Sequence, residues 1–259
     1  MMEIPNARLA DRSAWCFNSS LVEVDGRRLL FYRYAPDRRN LVTRLAFAEL
    51  GEDYRPIGAP VPLDLPAEGP HVVSFEDPRA IAWRGETWLF HVQAAFRDRV
   101  WSAATVVTRL GPGGEVLDQH VPDLGRNRTA AVCDGPPGID RNWSPFVWEG
   151  DLYVVYEIAP LTVYRFDPRD ASWELVCREP WDTGYPTYLS GGTPLLHWND
   201  DELVGLFHTY EKPDPATRIY AMGFYSLDPY RWRVERISPR PMLAGWNDPF
   251  KELRNGRLR

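Results

Sequence analysis

Cysteine is scarce in this chain of 259 residues. Cys16, Cys133 and Cys177 are odd in number and widely spaced, with no CxxC pair and no histidine-rich cluster around them. A disulfide framework and a zinc module are both excluded on that spacing, so no metal is expected, and a reduced, cytoplasmic setting fits best. Basic charge is also in short supply, with 30 Lys and Arg against 36 Asp and Glu and a net charge of −6. Nucleic acid is held by a basic face that displaces counterions. Arg27-Arg28 and Arg126-Asn127-Arg128 are too short and interrupted to make one. The N-terminus lacks the apolar core of a secretory signal. No apolar run approaches the ~20 residues of a membrane span, so no membrane partner is expected. Long helical periodicity is missing as well; the best helical candidates are the short stretches Ala7–Ala14 and Asp248–Leu253. A glycine-rich phosphate loop and a nucleophile elbow are both absent from the sequence.

What remains is rich in aromatics, with 11 Trp, 12 Tyr and 11 Phe, and is built of short β-type runs separated by Gly, Pro, Asn and Asp. The runs repeat. Asp25-Gly26 precedes Leu29–Tyr32, Arg84-Gly85 precedes Trp88–Phe90, Glu149-Gly150 precedes Leu152–Tyr156, and Asn199-Asp200 precedes Leu203–Phe207. A further strand follows each, at Leu41–Phe47, Trp101–Thr108, Leu161–Phe166 and Ile219–Tyr225. Outer strands are expected at Pro56–Val61, Glu115–His120, Trp173–Cys177 and Trp232–Ile237. Four strands per unit, recurring at roughly 50–65 residues, predict an all-β chain forming a β-propeller as a single domain over 1–259.

Eight residues before the turn positions Gly26, Gly85, Gly150 and Asp200 stand Asn18, Asp77, Asn142 and Gly192, and the same step back from Gly256 reaches Asp248. First strands of propeller blades line a central channel, so these positions are expected to face one pocket. Four blades are complete, and a fifth has begun when the sequence reaches Arg259. The expectation is a five-bladed propeller cut short in its fifth blade, with a four-bladed ring as the alternative.

The densest polar cluster is Phe75-Glu76-Asp77-Pro78-Arg79. Neighbouring side chains on a regular strand point to opposite faces, so one carboxylate is expected in the pocket. The repeat phase selects Asp77, with Glu76 turned away and Arg79 on the same face as Asp77, where it could hold that carboxylate or a ligand oxygen. A turn with a structural ion pair is the plainer reading. Asp140-Arg141-Asn142-Trp143-Ser144-Pro145-Phe146 is the second cluster, in which Trp143 is equally a sugar-stacking ring and a core aromatic. Glu157 ends a central strand, as a solvated residue or a second acid–base group. His208 holds the matching place in the fourth unit, where a lone histidine is more often structural.

Asn18-Ser19 with Tyr32-Arg33, Glu76-Asp77-Pro78-Arg79, Asp140-Arg141-Asn142, and Gly192-Thr193-Pro194 with Tyr220–Gly223 occur in an order that resembles glycoside hydrolase family 130. That family holds β-mannoside phosphorylases and mannosidases, has β-1,2-mannosyltransferases among its relatives, and is built on a five-bladed β-propeller. The resemblance spans Asn18 to Leu243, and Glu-Asp-Pro-Arg is its most specific piece. It implies a glycan-cleaving or glycan-transferring enzyme with Asp77 as general acid. By it Asn18, Ser19 and Asn142 would contact sugar, and Arg33 and Arg141 would contact phosphate or substrate; the residue pattern itself adds Arg79, Trp143, Thr193 and His208 as candidate substrate contacts. The phosphorylases carry a further basic cluster where this chain reads Tyr156-Glu157-Ile158-Ala159-Pro160. Its loss weakens a phosphate cradle, and it brings this chain nearer to the hydrolytic members, with Glu157 as the water-activating candidate. No organic cofactor is implied, and inorganic phosphate stays open as a co-substrate. A homo-oligomer would cover the edges of an unclosed blade. A sugar-binding propeller without catalysis is the competing class. An arabinan- or fructan-type hydrolase ranks last, because it needs three carboxylates on separate blades and Asn18 stands where the first is required.

Overall fold

The structure, a computed structural model, describes residues 15–36, 42–124, 139–185, 188–214 and 217–245. Both helical candidates and the Asn247–Pro249 and Asn255-Gly256 signals for a fifth blade lie outside them. Within the described residues the chain is all strand and turn, and no helix is long and apolar enough to cross a membrane.

It divides into two compact units, Met1–Arg141 with Arg169–Ser172 and Asn142–Pro168 with Trp173–Arg259. The first unit carries two four-stranded antiparallel meanders of the kind that form propeller blades. One consists of β1 (Trp15–Val24), β2 (Arg27–Ala35), β3 (Arg44–Leu50) and β4 (Val61–Pro62), in that order. The other consists of β5 (Val72–Trp83), β6 (Glu86–Arg97), β7 (Val100–Leu110) and β8 (Val116–His120). Phe31, Leu45, Phe47, Phe75 and Leu89 are buried between these two sheets, each worth ~1.5–3 kcal/mol when fully removed from water.

The second unit holds β9 (Ser144–Trp148), β10 (Asp151–Glu157), β11 (Leu161–Asp167) and β12 (Ser172–Glu179) as a third meander. Its fourth sheet is less regular. β13 (Ser190–Gly191) and β14 (Leu196–Asn199) both pair with β15 (Glu202–Asp214), which pairs with β16 (Thr217–Asp228). β17 (Arg233–Ile237) and β18 (Leu243–Gly245) pair with separate stretches of β16. Phe146, Val155, Val163, Leu203, Phe207 and Tyr225 form this unit's core.

The hairpin turns explain the repeat. Asp25-Gly26, Arg84-Gly85 and Glu149-Gly150 have positive φ at both central residues, between 48° and 82°. That is the two-residue turn whose twist matches antiparallel strands, and glycine makes it cheap. The fourth turn has no glycine and is held instead by the Asn199 side chain, whose Oδ1 accepts from the Asp201 amide at 2.9 Å. One expected strand is corrected: Pro56–Val61 is reduced to a single bridge, Leu50 to Pro56, and the two-residue β4. Pro56, Pro60 and Pro62 remove the donors that a longer ladder would need.

Candidate functional site

The site is built on two matching irregularities. The β1–β2 register shifts between Phe17 and Ser20, and the β5–β6 register shifts between Glu76 and Arg79. Inside each gap sits a residue with φ of 50°, Asn18 in β1 and Asp77 in β5. Asn and Asp are the non-glycine residues that tolerate this left-handed region. Pro78 has no amide to leave unpaired where the ladder opens. These are β-bulges, and a bulge re-aims side chains that a regular strand would alternate.

The expected opposition of Glu76 and Asp77 therefore fails: both carboxylates reach the same guanidinium. Arg33 on β2 places Nη2 2.8 Å from Glu76 Oε1 and Nη1 3.2 Å from Asp77 Oδ1. Its Nε donates to Thr43 Oγ1 at 2.8 Å, and its Cζ lies 4.9 Å from the centre of the Phe17 ring. Thr43 Oγ1 in turn donates to the Phe75 carbonyl at 2.8 Å and lies 2.7 Å from Ser74 Oγ. Asn18 Nδ2 donates to Asp77 Oδ1 at 2.6 Å. Ser20 Oγ accepts from the Ala80 amide at 2.9 Å, which ties the two bulged strands together. Side-chain exposure is 11% for Arg33, 14% for Glu76 and 16% for Asp77.

The two carboxyls are pushed apart electrostatically. Burial raises the Glu76 carboxyl above its ordinary range, opposed by Arg33, reinforced by the Asp77 charge, and opposed further by Arg141 and the Ser74 hydroxyl. Burial also pushes Asp77 upward, but Arg33, Arg79, the Asn18 amide and Arg141 together outweigh it and hold Asp77 below its ordinary range. Acid–base sites and structural ion-pair networks both separate neighbouring carboxyls in this way.

Arg79 is buried, and its charge helps hold the Asp77 carboxyl low. Arg141 is exposed, and its charge is felt by both carboxyls. The chain enters Arg141 through a short parallel pairing, Ile139 with Ala103, in which the Asp140 amide donates to the Ala103 carbonyl at 2.8 Å. Ser19 is exposed on β1 beside Asn18.

In the second unit, Asn142 has φ of 72°, the third left-handed residue at the expected phase. A Cβ on Gly191 would lie 2.4 Å from both the Asn142 carbonyl oxygen and Ser144 Oγ, so glycine is needed there for close approach. Trp143 is a correction. At 1% exposure it packs edge-on against Tyr156 and Trp173, 5.4 and 6.2 Å between ring centres, and presents no face to a sugar. Thr193 accepts the Leu206 amide on its Oγ1 at 3.0 Å, a hydrogen bond that fastens the chain to β15. Glu157 ends β10 half-buried, and Thr162 Oγ1 donates to its Oε2 at 3.4 Å. His208 is half-buried on β15 between Ser190 and Met222, its ring centre 6.2 Å from that of Tyr220. Among the described residues no group of three or more His, Cys, Asp or Glu side chains could hold a metal ion.

Glu76 and Thr43 are among the members of the cluster that sequence reasoning missed. The signal for Glu76 was present in Asp77-Pro78, a residue that accepts left-handed backbone followed by one without an amide. For Thr43 there was none.

No family model matches the chain, and no curated protein matches it. Solved structures do. A levansucrase of B. megaterium superimposes with a TM-score of 0.62 at 9% identity, over 91% of this chain and 72% of that one. A β-1,2-mannobiose phosphorylase from Listeria innocua, solved with β-1,2-mannobiose, gives 0.52 at 13% identity over 90% and 78% of the two chains. A GDP-Man-dependent mannosyltransferase from Leishmania mexicana gives 0.50 at 13% over 87% and 69%. These are propeller-fold carbohydrate-active enzymes, and at such identities the likeness shows the fold alone.

Proposed function

We propose that the chain is a carbohydrate-active enzyme that cleaves or transfers β-linked mannosyl or similar residues, with Asp77, coupled to Glu76 through Arg33, in the general-acid pair that delivers the proton to the glycosidic oxygen. The observation that carries this reading is the Glu76–Arg33–Asp77 clamp. Two carboxyls with opposite electrostatic bias are held on a bulge, with the Asn18 amide on Asp77 and the charge of an exposed arginine, Arg141, reaching both. Arg33 is committed to the two carboxylates, so its role is to position them, and Arg141 is the better candidate to meet substrate. Asn18, Ser19 and Asn142 are carried as sugar contacts, and Glu157 as the carboxylate that activates water in place of a phosphate cradle. The purified protein incubated with a panel of β-linked mannobioses, with and without phosphate, tests this. Free mannose formed at the same rate in both conditions supports hydrolysis, a sugar 1-phosphate formed only with phosphate supports phosphorolysis, and no product in either sinks the reading.

A sugar-binding propeller without turnover is the second reading. It is favoured by the commitment of Trp143 and Thr193 to packing and backbone, and calorimetric binding of mannobiose without product would establish it.

A further inference from the structure

We propose that Glu76 is a second acid–base residue of this site: turned to the same side as Asp77 by the bulge, it shares the Arg33 guanidinium and holds the pair's proton while Asp77 holds the charge. The chemistry of this inference rests on the glycosidase reading; the proton's location does not. A regular strand would have kept the two carboxylates on opposite faces, and the left-handed Asp77 brings them onto one arginine.

Arg33 is the guanidinium in contact with both carboxylates, and like charges that share one cation ionise together only at a cost. The partners decide which one yields. Asp77 is served by Arg33 on β2, the Asn18 amide on β1, Arg79 on its own strand and Arg141 from the segment before β9. Glu76 is served by Arg33, Arg141 and the Ser74 hydroxyl, and it faces the Asp77 charge. Ser74 is itself engaged with the Thr43 amide and hydroxyl. The first proton that the pair takes up therefore settles on Glu76, and the burial-raised carboxyl of Glu76 agrees with that order.

In hydrolysis the pair gives up this one proton to the glycosidic oxygen, which leaves with the electrons of the broken carbon–oxygen bond. Both carboxylates are then ionised against Arg33, Arg79 and Arg141. Water adds its oxygen to the anomeric carbon of the sugar and gives its proton to the separate water-activating carboxylate, and exchange with solvent restores the pair's proton. Because the two groups are coupled, the pH profile of turnover belongs to the pair rather than to Asp77 alone.

The test begins with carboxyl-carbon NMR titration of the whole protein, labelled on Asp and Glu, with no substrate present. Glu76 is expected to titrate above the ordinary glutamate value of about 4.3 and Asp77 below the ordinary aspartate value of about 3.9. In Asp77→Asn, whose side chain suits the same backbone, Glu76 is expected to shift downward. A Glu76 that titrates at or below the ordinary value, or that does not move in Asp77→Asn, overturns the proposal.

Turnover supplies the second arm. Glu76→Gln is expected to lose about 10²–10⁴-fold on an unactivated β-mannobiose, the range for a missing proton donor, and to lose markedly less on an aryl mannoside whose leaving group needs no proton. Equal loss on both substrates overturns the donor role. A wild-type protein that cleaves neither substrate sinks the enzyme reading instead, and the titration still decides where the proton resides.

Discussion

Two arginines, one in each unit, hold two carboxylates apiece, and they differ mainly in burial. Arg33 reaches Glu76 and Asp77 with all three side chains exposed by 16% or less. Arg165 reaches Glu174 at 2.7 Å and Asp151 at 3.8 Å with exposures of 44%, 65% and 42%. The exposed set is screened by water and contributes little. In the buried set, charge cannot be left unpaired without a large cost, and the same burial separates the two carboxyls' proton affinities. An ion-pair count treats the two alike; their surroundings make one a candidate site and the other a surface feature.

The largest effect is expected from breaking the buried set. Arg33→Met strands two carboxylates and should cost about 3–5 kcal/mol in urea unfolding, and Arg33→Lys should recover only part, since a single ammonium cannot span both. Gly191→Ala is the counterpart in the second unit. It forces a methyl to within 2.4 Å of the Asn142 carbonyl oxygen and should cost about 1–3 kcal/mol by overpacking. Gly192→Ala, whose Cβ meets the Leu206 carbonyl oxygen at 3.1 Å, should cost less. At Asp77, φ of 50° makes Asp77→Val worse than Asp77→Asn by about 1–2 kcal/mol of backbone strain.

The pH dependence of stability separates the two carboxyls further. Asp77, held low, contributes stability that is full above the ordinary aspartate value and is lost as pH falls through its folded value. Glu76, held high, contributes stability that is full below the ordinary glutamate value and is lost as pH rises through its folded value. Relative to wild type, Asp77→Asn should therefore cost most at neutral pH, and Glu76→Gln most in acid. Melts across pH check both, and parallel curves would show that the pair does not titrate as described. The smallest effect belongs to the exposed set: Arg165→Met should change stability by ~1 kcal/mol or less, an effect that fades in high salt.

Much of this could be read from residue order. The Asp-Gly, Arg-Gly and Glu-Gly turns mark three hairpins because only residues that accept positive φ fit them, and counting back from those turns reached Asn18, Asp77 and Asn142, all three left-handed. That backbone similarity is what the phase carried. It did not carry over to Gly192, which follows a two-residue strand and whose φ is not positive. Side-chain direction was less legible. A period of two places Glu76 opposite Asp77, and one extra residue in the strand reverses it, so a bulge cannot be read from alternation. Trp143 has the composition of a sugar platform, and only the packing of Tyr156 and Trp173 against it shows a core residue. Thr43 joined the clamp through a hydroxyl just ahead of β3, with no local pattern to announce it.

Asp77 is the residue on which cleavage is expected to depend most directly. Turnover of β-linked mannobioses by wild type and Asp77→Asn, measured on protein samples with matching melting curves, should show cleavage by the first and a loss of about 10²–10⁴-fold or more in the second. Equal rates from the two proteins would contradict the assignment of the Arg33-clamped pair as the place where the glycosidic bond is broken.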